Sequence, residues 1–276
     1  MKSIAILITV HNRKAKTLQC LEHLFVQQAV ESYYWEVFLT DDGCTDGTVE
    51  AVANQYPSVH IVQGDGTLFW NRGMHRAWQA AVQTKDYDYY LWLNDDVTLF
   101  KDAIYEALEC DIICCGKSII CGALSSSINF ESFTYGGKTL DGNYVIPNGN
   151  IQNCSIINGN FVLVNKNICN NVGILDPIYP HAIGDHEYGL RAIKYGFSVV
   201  TTRKYIGNCE TNKLPPKWCR NDVNIFERCK SLYSPLGYCP PKFYFIYETK
   251  YFGFHVALKH FISIHLRLLM PSIWLK

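Results

Sequence analysis

Tyr89–Val97, YYLWLNDDV, is an apolar, strand-like run that stops abruptly on Asn94, Asp95 and Asp96. Two adjacent carboxylates at a strand end suit a hard cation. Mg²⁺ and Mn²⁺ prefer carboxylate oxygens and are commonly held by one or two of them together with the phosphates of a nucleotide. An Asp-rich turn or helix cap after a strand is the competing reading of the same residues, and the flanking sequence decides between the two.

From Ile4 to Asp96 short β-rich runs alternate with helical stretches: IAILITV, KTLQCLEHLFVQQ, WEVFLTDD, TVEAVANQY, VHIVQ, a helix expected from about Arg72 to Thr84, and YYLWL. Repeated βα units of this length imply an α/β fold, a mostly parallel, Rossmann-like sheet with helices on both faces. Leu18, Leu21, Leu24 and Phe25 recur at helical spacing and predict the buried stripe of the first helix. In open sheets of this kind ligands bind beyond the carboxyl ends of the strands. Three polar clusters fall there: Thr9–Arg13, Asp41–Asp46 and Asn94–Asp96. The first βα turn has no G-x-G-x-x-G and the chain has no G-x-x-x-x-G-K-[ST], which disfavours a dinucleotide dehydrogenase and a P-loop enzyme. In DDGCTDGT, Thr45 or Asp46 is expected to cap the next helix, whereas Asp41 ends its strand facing the ligand edge.

The 276 residues, 48% of them hydrophobic, suffice for one large α/β domain or a domain with an appendage. With 25 basic and 25 acidic residues there is no global field to recruit nucleic acid, so none is expected as a partner. The twelve cysteines include the adjacent pair Cys114 and Cys115 and form no CxxC or zinc-like spacing; they read as mostly reduced, buried thiols. The even spacing of Cys219, Cys229 and Cys239 matches no metal-ligand pattern. The short apolar run after Lys2 suits a first core strand better than a signal peptide, and no segment reaches the roughly 18–20 apolar residues that span a bilayer. A cytoplasmic protein is expected.

The chain is expected to divide into an α/β half that carries the three polar clusters (1–115), a second half (116–230) and a helical tail (231–276). Gly116 to Asn160, rich in Ser, Asn and Gly, reads as irregular strands and loops that shape a pocket wall. A helix is expected after Gly184 with Asp185 near its start, where capping is its plain explanation. Asp185 and Glu187, two residues apart, would not share a helix face.

Taken in order, ITVHNR, VFLTDDGCTDGT, GDGTLFWNRGMHRAW, LWLNDDV, INGNFVLVNKNICNNVGILD and GDHEYGLRAIKYGF resemble the inverting family 2 glycosyltransferases of the GT-A fold, in the branch of bacterial rhamnosyl- and galactofuranosyltransferase-like enzymes. The resemblance implies that Thr9, His11, Asn12 and Arg13 line the nucleobase and ribose. It also implies that Asp41, ahead of Asp42, accepts from a base N–H, which would select uracil or thymine in a UDP- or dTDP-sugar donor. Trp70, Asn71 and Arg72 would lie beside the donor, Arg72 as a diphosphate partner. Asn94 and Asp95 would face the nucleotide and Asp96 would bind Mg²⁺ or Mn²⁺, with Asn94 standing where many relatives carry Asp. Asp185 matches the family's catalytic base, which takes a proton from an acceptor hydroxyl. Asn158, Gly159, His181, His186 and Glu187 would form the acceptor and sugar pocket. Where galactofuranosyl relatives have a metal-binding His, this chain reads YIGNCE; the thiol of Cys209 suits Mg²⁺ poorly and is left out of the metal set.

The tail interleaves aromatic and aliphatic residues with Lys242, Lys250, Lys259, Arg267 and Lys276, and Glu248 is the sole acid from Cys239 onward. A basic amphipathic helix there would lie on a membrane surface, consistent with the lipid-linked saccharide acceptors that the resemblance implies and with attachment to the inner face of the plasma membrane. Packing on the catalytic domain and a dimer contact are the alternatives. Two other functions compete: a nucleotidyltransferase, which should carry a Gly-rich basic loop where THNRKAK has none, and a non-catalytic nucleotide-sugar binder in which Asn94 and Cys209 mark lost ligands.

Overall fold

Ile4, Ile6 and Ile8 of the first strand face one buried layer and Ala5 and Leu7 face another, the period-two pattern of a strand covered on both sides. The coordinates are a computed structural model that describes residues 1–28, 30–211 and 214–273. Lys276, counted above among the basic tail residues, lies outside them.

In chain order the strands are β1 (Lys2–Val10), β2 (Tyr33–Asp41), β3 (His60–Gln63), β4 (Tyr89–Leu93), β5 (Thr98–Leu99), β6 (Ser118–Ser125), β7 (Phe133–Tyr135), β8 (Gln152–Asn153), β9 (Phe161–Asn165) and β10 (Ser198–Asn208). The helices are α1 (Lys14–Phe25), α2 (Thr48–Gln55), α3 (Phe69–Thr84), α4 (Ala103–Ile113), α5 (Lys166–Val172), α6 (Gly184–Lys194), α7 (Ile225–Tyr233), α8 (Pro241–Phe252) and α9 (Phe254–Leu269). The sheet runs β3-β2-β1-β4-β9-β6-β10-β5, with β7 on β6 and β8 on β10. Strands β3, β2, β1 and β4 pair in parallel, β6 and β10 pair in parallel, and β9 lies antiparallel between β4 and β6. The expected α/β sheet is therefore present, with β9 reversed at its middle and the short strands β5, β7 and β8 also pairing antiparallel. Both sequence halves contribute to this one sheet.

Three local expectations change. The stripe of α1 is Thr17, Cys20, Leu21 and Leu24; Leu18 is partly buried, and Phe25 is 38% exposed and stacks on Tyr56. Helix α3 starts at Phe69, three residues earlier than expected, because the Asp42 carboxylate accepts the N–H groups of Leu68 and Phe69, donors with no partner inside the helix. The stretch after Gly116 opens on β6, eight buried residues in the body of the sheet, and turns irregular only beyond it. Gly122 lets that strand approach Phe161 and Ile206: a Cβ would stand 2.7 Å from each.

The tail is a hairpin of α8 and α9, bent at Gly253, whose φ of 89° favours glycine. Tyr247 of α8 joins Tyr179, Ile183 and Leu190 in one cluster, and Ile264 and Leu268 of α9 join Trp218, Cys219 and Leu232 in another. The expected boundary at residue 231 falls inside α7.

Candidate active site

The carboxyl ends of β1, β2 and β4 meet at one sheet edge, and two adjoining cavities open there. The smaller, about 300 Å³, is lined by Thr9, His11, Arg13, Asp42, Phe69, Trp70, Asn94, Asp95 and His181. Asp42 reaches this cavity. Its Oδ1 accepts from Gly66 N (2.9 Å) and Leu68 N (3.1 Å), and its Oδ2 from Phe69 N (2.9 Å). A carboxylate offers about four acceptor positions, so one remains on Oδ2. Asp41, expected to be the base-reading residue, instead accepts from Cys44 N and Gln63 Nε2 and is not part of the lining. Asp41 is the last residue of β2 and Asp42 lies just past it, where the N–H groups of Gly66, Leu68 and Phe69 hold its carboxylate at the cavity. His11 contacts the Asp42 carbonyl through Nδ1 at 2.6 Å. Thr9 packs on Gly73, where any Cβ would collide with its hydroxyl.

Asn12 is absent from the lining. It adopts φ 51° and its Oδ1 accepts from Thr45 N at 2.7 Å, holding the DDGCT loop against β1. Neither Thr45 nor Asp46 is the N-cap of α2, which is Gly47; Asp46, one residue earlier, instead accepts from Lys14 N at the start of α1 and Thr48 N at the start of α2.

Asn94 links both cavities. Its Oδ1 accepts from Trp70 Nε1 at 2.6 Å, its Nδ2 donates to Asn160 Oδ1, and its backbone N–H donates to the Asn160 carbonyl at 2.9 Å. Asp95 is buried against Arg13 Nη1 (3.0 Å) and the Thr17 hydroxyl (3.4 Å). Burial pushes its carboxyl up to about 7 against the pull of Arg13. Asp96 pairs with Arg13 Nη2 and lies 3.8 Å from Lys16 Nζ. Burial works to lower the Arg13 guanidinium, but Asp95 and Asp96 together outweigh it and raise it. Cys209 Sγ lies 3.7 Å from Asp96 Oδ1, and burial, aided by Asp96, raises its thiol to about 12; it is a neutral neighbour of the carboxylate.

The larger cavity, about 570 Å³, continues from Arg13, Trp70, Asn94 and His181 to Asp96, Asn158, Gly159, Asp185 and His186. Asp185 sits in the first turn of α6 without capping it. Its Oδ2 accepts from Gly159 N at 3.0 Å, across the chain on the approach to β9, and its Oδ1 from His186 N at 2.9 Å. The carboxylate is thus held by backbone donors while lining the cavity. Ile183, just before α6, has φ 80°, a strained conformation for a β-branched residue of the kind that collects at functional sites. Gly159 has no room for a side chain: a Cβ would enter the Trp70 ring. His181 Nδ1 accepts from Trp70 N at 3.4 Å, and burial lowers its pKa.

Three further expected site residues turn away. Arg72 donates to the carbonyls of Pro177 (2.8 Å) and Ile178, and Asn71, fully buried, to those of Asp176 (2.8 Å) and Tyr179 (2.6 Å); both pin the turn before His181. Glu187 is fully buried on the opposite side of α6, where Lys250 Nζ and Tyr251 Oη meet its Oε1 at 2.7 Å and Arg191 Nη2 lies 3.1 Å from its Oε2. Its two-residue offset from Asp185 predicted that separation of faces. Residues not anticipated also line the larger cavity: Lys16, Asn160, Glu210, Leu236 and Tyr238. Lys16 follows Arg13 at i+3 and was legible as its helical neighbour. Leu236 and Tyr238 come from the segment between α7 and α8, and no local pattern marks them.

Among the described residues, no three His, Cys, Asp or Glu side chains form a metal cage. Asp96 is the one carboxylate of its cluster that lines the larger cavity, where Arg13, Lys16 and the Cys209 thiol already contact it; Asp95 is engaged by Arg13 and Thr17, and the Asn94 oxygen by Trp70. Mg²⁺ customarily takes one or two carboxylates plus substrate phosphates and water. The donor set therefore fits a cation held by Asp96 and chiefly by a diphosphate.

Residues 5–123 match the family described as Glycosyl transferase family 2. Comparison with curated protein sequences yields no match. Among solved structures, the mannosyltransferase PcManGT from Pyrobaculum calidifontis in complex with GDP-Man and Mn²⁺ is similar over 98% of this chain and 86% of its own, at 12% identity and a TM-score of 0.58. S. aureus TarS is similar over 76% of this chain (14% identity, TM-score 0.52), and GalNAc-T7 with UDP, GalNAc and Mn²⁺ over 74% (11% identity, TM-score 0.57). The match spans only 37% and 42% of those two chains. These likenesses show the fold, which is that of the GT-A glycosyltransferases.

Proposed function

We propose that the protein is an inverting, metal-dependent glycosyltransferase that moves a sugar from a UDP- or dTDP-sugar to a hydroxyl of a saccharide acceptor in bacterial surface polysaccharide synthesis, within the rhamnosyl- and galactofuranosyltransferase-like branch. The observation that carries this reading is the continuity of the cleft. A cavity bearing the free acceptor position of Asp42 shares Arg13, Trp70, Asn94 and His181 with one in which backbone donors hold Asp185.

In this reading Asp42 accepts the imide N–H of uracil or thymine, a donor that cytosine and adenine rings lack. Arg13 and Lys16, which border the larger cavity beside Asp96, face the diphosphate oxygens. When bound, Mg²⁺ or Mn²⁺ at Asp96 supplies further positive charge to the departing nucleoside diphosphate. Asp185 takes the proton of the acceptor hydroxyl as its oxygen attacks the anomeric carbon; the new C–O bond forms as the bond to the diphosphate breaks on the opposite side, and the anomeric centre inverts. Asn158, Gly159 and His186 border the space for acceptor and transferred sugar.

Calorimetric titration with UDP, dTDP, GDP and ADP, each with and without Mn²⁺, tests the proposal. The expected outcome is metal-strengthened binding of UDP or dTDP that falls at least about tenfold in Asp96→Ala, about 1.4 kcal/mol. Binding of none of the four, or binding indifferent to both metal and Asp96, overturns it.

A further inference from the structure

The outer face of α9 is mainly apolar, with exposed His255 and half-buried His265 on the same arc. Phe254, Leu258, Ile262, Leu266 and Leu269 are 55%, 40%, 51%, 46% and 61% exposed. At 3.6 residues per turn these five fall on one face about 120° wide, separate from the Ala257, Ile264 and Leu268 face buried in the protein. Phe245 of α8 packs edge-on against Phe254 and Phe261, which carries the aromatic surface across the hairpin. A largely apolar exposed stripe of this kind marks an interaction site.

Charge names the partner. From Cys239 onward the one acid is Glu248, which is 3% exposed and bonded to His260. Lys242 and Lys259 are exposed on the same hairpin, while Lys250 is paired with Glu187. No described helix is long and apolar enough to cross a membrane. An exposed, mainly apolar stripe on a hairpin that carries exposed lysines and no exposed acid fits the headgroup region of an anionic bilayer, with the helix lying in the interface. We propose that α9 docks this protein on an anionic lipid surface.

Docking there orients the catalytic cleft. Glu187, on the helix that carries Asp185, binds Lys250 and Tyr251 of α8, and the segment leading into α8 places Leu236 and Tyr238 in the wall of the larger cavity. A bilayer under α9 thus has a fixed relation to the acceptor side. This consequence rests on the reaction proposed above, whereas the docking surface does not.

The test is flotation of the full chain with vesicles of phosphatidylcholine alone and of phosphatidylcholine mixed with phosphatidylglycerol. The protein is expected to favour the anionic vesicles by roughly tenfold, with the preference falling as salt rises. The double variant Leu258→Glu/Ile262→Glu, altered only at exposed positions, is expected to lose flotation while binding UDP as the parent does. Lys242→Glu/Lys259→Glu is expected to lose the preference for phosphatidylglycerol. Failure of the parent to float, or flotation unaffected by the double variant, overturns the proposal. So does a dimer in sedimentation that the double variant dissociates, which would assign the stripe to a second copy. Vesicle binding without any nucleotide binding would overturn the glycosyltransferase reading and leave this one standing.

Discussion

The indole N–H of Trp70 donates to the side-chain oxygen of Asn94 at 2.6 Å, and the amide nitrogen of Asn94 donates in turn to Asn160 Oδ1. Asn94 therefore spends its amide joining α3, the end of β4 and the approach to β9. An amide does this with one donor and one acceptor, where a carboxylate has acceptors only. The asparagine in the acidic motif is a brace between the two cavities, which answers the reading of it as a decayed metal ligand.

Removing that brace has a measurable cost. Asn94→Ala leaves the Trp70 N–H without its acceptor in a half-buried site and is expected to destabilise the fold by about 1–3 kcal/mol, read as a lowered urea midpoint. Asn94→Asp keeps an acceptor for Trp70 and should lose less. Equal losses in the two variants would count against the indole bond.

Asp185→Asn separates chemistry from binding. The amide oxygen can still accept from Gly159 N, so the site stays in place, but the group no longer takes a proton. Turnover is expected to fall by about 10²–10⁴ with calorimetric donor affinity unchanged. A variant that keeps its turnover removes Asp185 from the base role, and a parent without turnover favours a non-catalytic binder.

His181 gives the fold a pH dependence. Burial holds its imidazole below the ordinary value, so the unfolded chain takes the proton first. The neutral ring contributes stability that is fully present above about 6.5 and is lost as pH falls through the lower folded value. On acidification from about pH 7 to 5 the parent should lose more in melting temperature than His181→Gln. Parallel melting curves for the two proteins would contradict this.

Glu187 is the internal anchor of the tail. Glu187→Ala strips Lys250, Tyr251 and Arg191 of a common acceptor inside the protein and is expected to cost about 3–5 kcal/mol, with faster proteolysis between α7 and α8. Glu187→Gln, which still accepts from Tyr251, should fall between parent and alanine variant. Unchanged proteolysis in Glu187→Ala would show that α8 is held by its apolar contacts alone.

The order β1-α1-β2-α2-β3-α3-β4 and the gathering of Thr9–Arg13, the Asp41–Asp46 loop and Asn94–Asp96 at one sheet edge were determined by the sequence itself. Apolar period and run length are local properties, and parallel βα units bring every strand's carboxyl end to the same side. The buried strand β6 was less visible, because its Gly122 is required by a close approach to Phe161 and Ile206, which lie far along the chain.

Which side chains enter the cleft was decided only by the tertiary structure. Asp41 and Asp42 are adjacent and alike, yet the N–H groups of Gly66, Leu68 and Phe69 hold Asp42 at the cavity while Cys44 and Gln63 take Asp41. Asn71 and Arg72 sit beside Trp70 in sequence but are drawn to carbonyls more than a hundred residues away. Leu236 and Tyr238 reach the acceptor side because Glu187 and the Tyr247 cluster hold α8 on α6. A local pattern specifies the element and the face a residue occupies; the partners that turn its side chain toward or away from a ligand come from distant parts of the chain.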